Sequence, residues 1–190
     1  MRLFIALDLP AEVRQALDGL IARLRRQCRE ARWARTEGMH LTLKFIGWLD
    51  PADANKFDTL RAALAAVRSD MPVDMRFRGV GFFPNARRPR VAWCGVEASP
   101  NLAQIVADIE SALEPLGIPR ENREFVPHLT LARFNSPKGL EPLIRAADEL
   151  KSCDFGSARE TEFYLYESIL KRSGAEYRKV ETYPFVKASG

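Results

Sequence analysis

The hydrophobic positions of the chain follow two rhythms. Residues 2–8 (RLFIALD) and 90–96 (RVAWCGV) are nearly unbroken apolar runs of strand length. Val13, Leu17, Leu20, Ile21 and Leu24 instead recur at the three- and four-residue spacing of one helix face, and so do Leu102, Ile105, Val106, Ile109 and Leu113. Laid on itself with an offset of 88 residues, the chain places strand on strand and helix on helix: residues 11–29 fall on 99–117, and 52–67 on the stretch opened by 140–150. Apolar strands at 73–83 and 161–170 follow. Ser99 before Pro100 reads as a helix start and Gly117 as a stop. Each half thus predicts strand–helix–strand–helix–strand, with an extra strand at 175–185 and the Pro- and Arg-containing stretch 84–90 as the crossover. The expected fold class is α+β: a bilobal, pseudo-twofold duplication in which each lobe is an antiparallel sheet backed by helices, with a cleft between. The expectation is a single domain, 1–190, with lobe-forming halves of about 1–86 and 87–185.

At the centre of each half stands the same tetrapeptide, His-Leu-Thr-Leu, at residues 40–43 and 128–131, and the chain contains no other histidine. In a strand, alternation puts His40 and Thr42 on one face and Leu41, Leu43 and Phe45 on the other; His128 and Thr130 are likewise separated from Leu129 and Leu131. The leucines suit a helical layer. Packing would preserve them but has no use for the polar pair, and a twofold axis would turn the two His/Thr faces toward each other across the cleft. Two imidazoles flanking one centre suit phosphodiester chemistry. In-line attack on phosphorus needs a base and an acid on opposite sides, and imidazole serves as either near neutral pH. The threonine hydroxyls would meet the phosphate oxygens. The residues alone leave open which histidine is acid and which is base.

Composition narrows the partners without naming one. The 190 residues are 46% hydrophobic with a net charge of +4, compatible with a core and with a phosphate-bearing partner. Three scattered cysteines favour neither disulfides nor structural zinc, and the apolar start is too short for a signal or a membrane span. No GxxxxGK[ST] loop points to ATP, no lysine stands in the setting of an ATP-dependent ligase, and no metal cage can be drawn. No cofactor, no metal, no membrane and no obligate protein partner are expected, in a cytoplasmic monomer.

The paired motifs, together with "MRLFIALDLP", "HLTLKFIG", "GVGFFPNARRPRVAW" and "PHLTLARF", resemble the 2H phosphoesterase superfamily over nearly the whole chain, and within it the RNA 2′,3′-cyclic phosphodiesterases, also called 2′-5′ RNA ligases. The resemblance implies metal-independent hydrolysis of RNA 2′,3′-cyclic phosphate ends to 2′-phosphomonoesters, with reverse 2′-5′ joining at the same site. It implies His40 as proton donor, His128 as proton acceptor, Thr42 and Thr130 as phosphate ligands, and Arg133 as a substrate contact. Alternation opposes this last role, because Arg133 shares parity with Leu129 and Leu131, unless a bulge redirects it. Lys44, on the His40 face by parity, Phe82 as a stacking platform beside Phe83, and Arg87 in the crossover with Arg88 and Arg90 complete the expected substrate contacts. Tyr164 and Tyr166 are candidate cleft residues, while Trp33, Trp48 and Trp93 read as packing. The partners implied are RNA ends or small cyclic-phosphate nucleotides. Two alternatives stand beside this reading: the same chemistry on an ADP-ribose cyclic phosphate or a 2′-5′ oligonucleotide, and a non-catalytic basic RNA-binding module.

Overall fold

A computed structural model describes residues 1–171 and 174–186; the end of the expected domain, 187–190, lies outside the described residues. The strands are β1 (Arg2–Leu7), β2 (Arg32–Trp33), β3 (Leu41–Trp48), β4 (Val73–Phe83), β5 (Val91–Ala98), β6 (His128–Arg133), β7 (Asp154–Glu160), β8 (Glu162–Lys171) and β9 (Gly174–Pro184). The helices are α1 (Ala11–Arg25), α2 (Ala54–Ala65), α3 (Asn101–Leu113) and α4 (Glu141–Asp148). The apolar stripes do what their spacing implies: all five named residues of α1 and all five of α3 are buried, each contributing about 1.5–3 kcal/mol of transfer free energy. Asp53 caps α2 by accepting from the Lys56 N–H at 3.0 Å. Gly117 ends the turn after α3 in the left-handed conformation, φ 77°. Ser99 does not cap α3; its hydroxyl goes to the Asn101 side chain. The short β2 and the polar β7 carry too little apolar alternation to be seen in the sequence.

The elements form two antiparallel sheets, β3-β1-β8-β9 and β2-β6-β5-β4-β7. This corrects the expected division at residue 86: the halves are repeat units, not lobes. The third strand of each unit crosses over, β4 joining β5 and β6 while β8 joins β1. The first helices cross as well. α1 packs on β7 and α4, whereas α3 packs on α2 and β3. Each sheet with its helices therefore contains parts of both units, and one continuous apolar core runs through both. No helix among the described residues is long and apolar enough to cross a membrane.

Candidate active site

Both sheets bury one face against helices, and the opposite face of each, the one expected to line the cleft, carries a His/Thr pair. In the first sheet the cleft face follows from β1, where Leu3, Ile5 and Leu7 enter the main core while Phe4 and Ala6 form a separate cluster with Tyr164 and Tyr166. Thr42 pairs with Ala6 and joins that face. His40, just before β3, stacks on Phe4 with ring centroids 4.5 Å apart and meets Tyr177 edge-on at 4.9 Å. In the second sheet His128 pairs with Gly95 and Thr130 with Trp93, opposite in sense to the buried pair Cys94 and Leu129. Cα atoms of β3 and β6 come within 8 Å of one another, so the two histidine strands are neighbours in space.

The two imidazoles are held alike. His40 Nδ1 lies 2.8 Å from the Gly38 carbonyl and His128 Nδ1 2.8 Å from the Val126 carbonyl. A carbonyl oxygen only accepts, so each Nδ1 carries its proton and donates. Neither Nε2 has a hydrogen-bond partner among the described residues, leaving a lone pair when the ring is neutral and an acid when it is charged. Neither Thr42 nor Thr130 spends its hydroxyl on another described residue. The surroundings differ. His40 is half-buried among aromatic rings, and burial pushes its pKa below the ordinary 6.5 against the opposing pull of the Gly38 carbonyl. His128 has one edge contact, with Phe83 at 4.9 Å.

Arg14 of α1 braces the loop ahead of His40. Its guanidinium donates to the carbonyls of Thr36 at 2.7 Å and Met39 at 2.9 Å, and it pairs with Asp8. Thr36 is tied to Asp18 at 2.7 Å. Gly38, whose carbonyl holds His40, sits inside this braced loop. Nothing in the residue pattern signals this role, because Arg14 looks like any exposed helix position.

A repeated irregularity decides what else faces the cleft. In β3 the pairing steps from Thr42 to Lys44, leaving Leu43 as an extra residue; in β6 it steps from Thr130 to Ala132, leaving Leu131 as the extra one. A bulge of this kind reverses alternation beyond it. Arg133 therefore comes opposite Val91, on the Trp93 and Phe83 side, which removes the parity objection to it. Phe45, its counterpart 88 residues earlier, comes opposite Phe4 on the cleft face rather than on the leucine face.

The same bulge corrects the expectation for Lys44. Turned to the opposite face, its side chain is 1% exposed, with Nζ 2.7 Å from Glu110 of α3 and 2.6 Å from the Pro119 carbonyl. It is a buried tie between sheet and helix, not a substrate contact. Phe82 is corrected in the same way: it pairs with fully buried Ala92 and packs against the main core, and Phe83 is the one on the His128 face. Arg87 lies on the exposed β4–β5 turn, which Asn85 Oδ1 stabilises by accepting from the Arg87 and Arg88 N–H groups. Tyr164 and Tyr166 lie beneath the cleft face, buried, with Tyr166 5.7 Å from the His40 ring. Of the tryptophans, Trp93 rests on Gly81, where any Cβ would strike the indole. Trp48 does not pack: it is 76% exposed.

Asp8 and Glu162 lie close enough to Glu160 to repel it, and Lys179, whose ammonium lies 2.8 Å from Asp8 and 3.5 Å from the Tyr164 ring centre, offsets them. Burial first, then repulsion from Asp8 and Glu162, pushes Glu160 up to about 7, with Lys179 opposing. Its folded-state affinity for a proton exceeds the ordinary value of 4.5, so stability falls as pH rises from there through about 7. Glu160→Gln is expected to raise Tm more at pH 8 than at pH 5; an equal shift at both would show that Glu160 is not strained by its neighbours. Among the described residues no cluster of three or more His, Cys, Asp or Glu could hold a metal ion.

Two interwoven α+β units, each carrying one His-x-Thr pair on the sheet face turned away from the helices, mark the two-histidine phosphoesterase class. The chain belongs to the 2′-5′ RNA ligase superfamily, whose family model matches residues 10–167. A protein of Methanocaldococcus jannaschii named RNA 2′,3′-cyclic phosphodiesterase is 31% identical, the match covering 95% of this chain and 99% of that one. A protein of the same name from Thermus thermophilus is 34% identical, with 96% and 89% covered. Among solved structures, E. coli LigT complexed with 3′-AMP is similar with a TM-score of 0.77 at 27% identity over 98% of each chain. Thermus thermophilus TT0787 is similar with a TM-score of 0.76 at 31% identity, over 97% of this chain and 98% of that one.

Proposed function

We propose that the chain is an RNA 2′,3′-cyclic phosphodiesterase that opens the terminal cyclic phosphate to a 2′-phosphomonoester by paired-imidazole, metal-independent catalysis. The observation that carries this reading is the matched commitment of both Nδ1 atoms to backbone carbonyls at 2.8 Å, which leaves two Nε2 atoms for proton transfer. Neutral His128 Nε2 accepts a proton as water attacks phosphorus. The bond from phosphorus to the 3′ oxygen breaks in line, and protonated His40 Nε2 donates its proton to that oxygen. Solvent exchange then returns both rings to their starting states. Thr42 and Thr130 donate hydroxyl hydrogen bonds to the non-bridging oxygens, and Arg133 offsets the charge that grows there. With the 5′-hydroxyl of a second RNA end in place of water, His128 takes that hydroxyl's proton as its oxygen bonds phosphorus, the bond to the 3′ oxygen breaks and that oxygen takes the His40 proton, so the same groups support 2′-5′ joining. The protein acts in this reading as a monomer in the cytoplasm, without a cofactor.

The names carried by the relatives and the nucleotide complex of LigT support the substrate class. An RNA oligomer ending in a 2′,3′-cyclic phosphate should yield the 2′-phosphate, and the rate should persist in EDTA. Formation of the 3′-phosphate, or complete loss in EDTA, would overturn the mechanism. Inertness toward RNA with turnover of an ADP-ribose cyclic phosphate or a 2′-5′ oligonucleotide would move the same chemistry to another substrate. Binding of RNA without turnover of any of them would leave a basic RNA-binding module.

A further inference from the structure

The cleft face of the first sheet continues past His40 as a run of exposed apolar side chains. Phe45 is 58% exposed, and its ring centre lies 6.2 Å from that of Phe4, the ring on which His40 stacks. A second irregularity follows, with Ile46 left over between the pairs Phe4–Phe45 and Leu3–Gly47, and Gly47 takes φ 92°. Only glycine adopts that conformation without strain, and it is the conformation rather than space that demands it, since a Cβ there would meet nothing. The outcome is that Trp48 comes directly opposite Arg2, which shares the Phe4 face of β1. Without this step Trp48 would turn to the other side of the sheet.

An indole left 76% in water costs transfer free energy with nothing gained inside the chain. Among the described residues it makes no ring contact, and Arg2 beside it, also exposed, has no acidic partner. A row of flat rings with an adjacent guanidinium, opening from the reacting centre, is the combination that single-stranded nucleic acid fits: bases stack on aromatic faces and a phosphate meets the cation. Rows on one face of a strand are about 7 Å apart, so Phe45 and Trp48 offer successive steps leading away from His40.

We propose that Trp48, with Phe45 and Arg2, forms a binding site for the nucleotides on the 5′ side of the terminal cyclic phosphate, so that the substrate is an RNA strand rather than a free cyclic nucleotide. This rests on the cyclic phosphodiesterase reading and names its substrate class. The test compares kcat and KM of the intact protein, Trp48→Ala and Trp48→Phe on an RNA octamer ending in a 2′,3′-cyclic phosphate and on adenosine 2′,3′-cyclic phosphate. Removing the indole should raise KM for the octamer about 5- to 150-fold with kcat and the mononucleotide reaction unchanged, and Trp48→Phe should restore most of the loss. Equal effects on both substrates, or none on the octamer, overturn the proposal. So does a Trp48→Ala variant that alters the mass in solution instead of octamer binding, which would make this face a contact between copies of the chain. Should the wild type turn over neither substrate, the catalytic reading fails. The stacking site is then decided separately by titrating the octamer with a 3′-hydroxyl end: quenching of tryptophan fluorescence that Trp48→Ala abolishes supports it, and its absence refutes it.

Discussion

Replacing His40 or His128 by alanine is expected to lower kcat/KM on cyclic-phosphate RNA by about 10²–10⁴ each, the range for one lost general acid or base. RNA binding should be largely retained, because Thr42, Thr130 and Arg133 remain. The double variant should lose less than the product of the two single losses, since in-line displacement uses both protons in one transition state. Roles can be separated with a substrate whose bridging 3′ oxygen is replaced by sulfur. A thiolate leaves without a proton, so that substrate should restore turnover to whichever variant lacks the acid and not to the one lacking the base. With His40 as the acid, the lowered pKa has a definite consequence. The proton it must donate is lost from the free enzyme as pH rises through a value below 6.5, placing the falling limb of kcat/KM on the acidic side of neutrality. Arrival of an anionic phosphate opposes the burial that causes the shift, so the corresponding limb of kcat should lie higher. Retention of full activity by both alanine variants would remove the imidazoles from the mechanism.

The second large effect concerns stability. Lys44→Ala should destabilise the fold by about 3–5 kcal/mol, because it strands the Glu110 carboxylate in a site where the lysine side chain is 1% and the glutamate 10% exposed. At roughly 2–4 °C per kcal/mol for a domain of this size, the loss is readily seen in Tm. Replacing both partners, Lys44→Met with Glu110→Leu, should recover most of it. The Pro119 carbonyl and the Glu121 N–H, which those side chains now serve, belong to exposed residues and can turn to water. Additive losses in this cycle would show that the two groups do not act as a pair. The tie has no counterpart in the other repeat, where the positions 88 residues removed from Lys44 and Glu110 are Ala132 and Ala22. It is thus a feature of one sheet–helix contact and not a remnant of the duplication.

Several expectations that rested on parity failed for one reason. Lys44 was assigned to the cleft and Phe45 to the core by counting from His40, and each belongs to the opposite face because Leu43 drops out of the pairing. The matching slip at Leu131 brings Arg133 to the face that simple counting denied it. Phe82 and Phe83 were a choice between neighbours that the pairing with Ala92 and Val91 resolves. A bulge is a relation between two strands, set by packing on both faces, and a single strand's pattern does not reveal it. Trp48 is a parallel case: an aromatic residue reads as core until the register shows it in water.

From the sequence alone came the order of every strand and α-helix except β2 and β7, the duplication, the helix faces and the two His/Thr pairs, because each depends on neighbours within a few residues or on identity between repeats. Which strand pairs with which, the exchange of β4, β8 and the first helices between sheets, and the facing of Lys44, Arg133, Phe83 and Trp48 were decided by tertiary structure. Those choices bury apolar surface against residues distant in the chain, and the free energy that selects them is absent until both partners are in place.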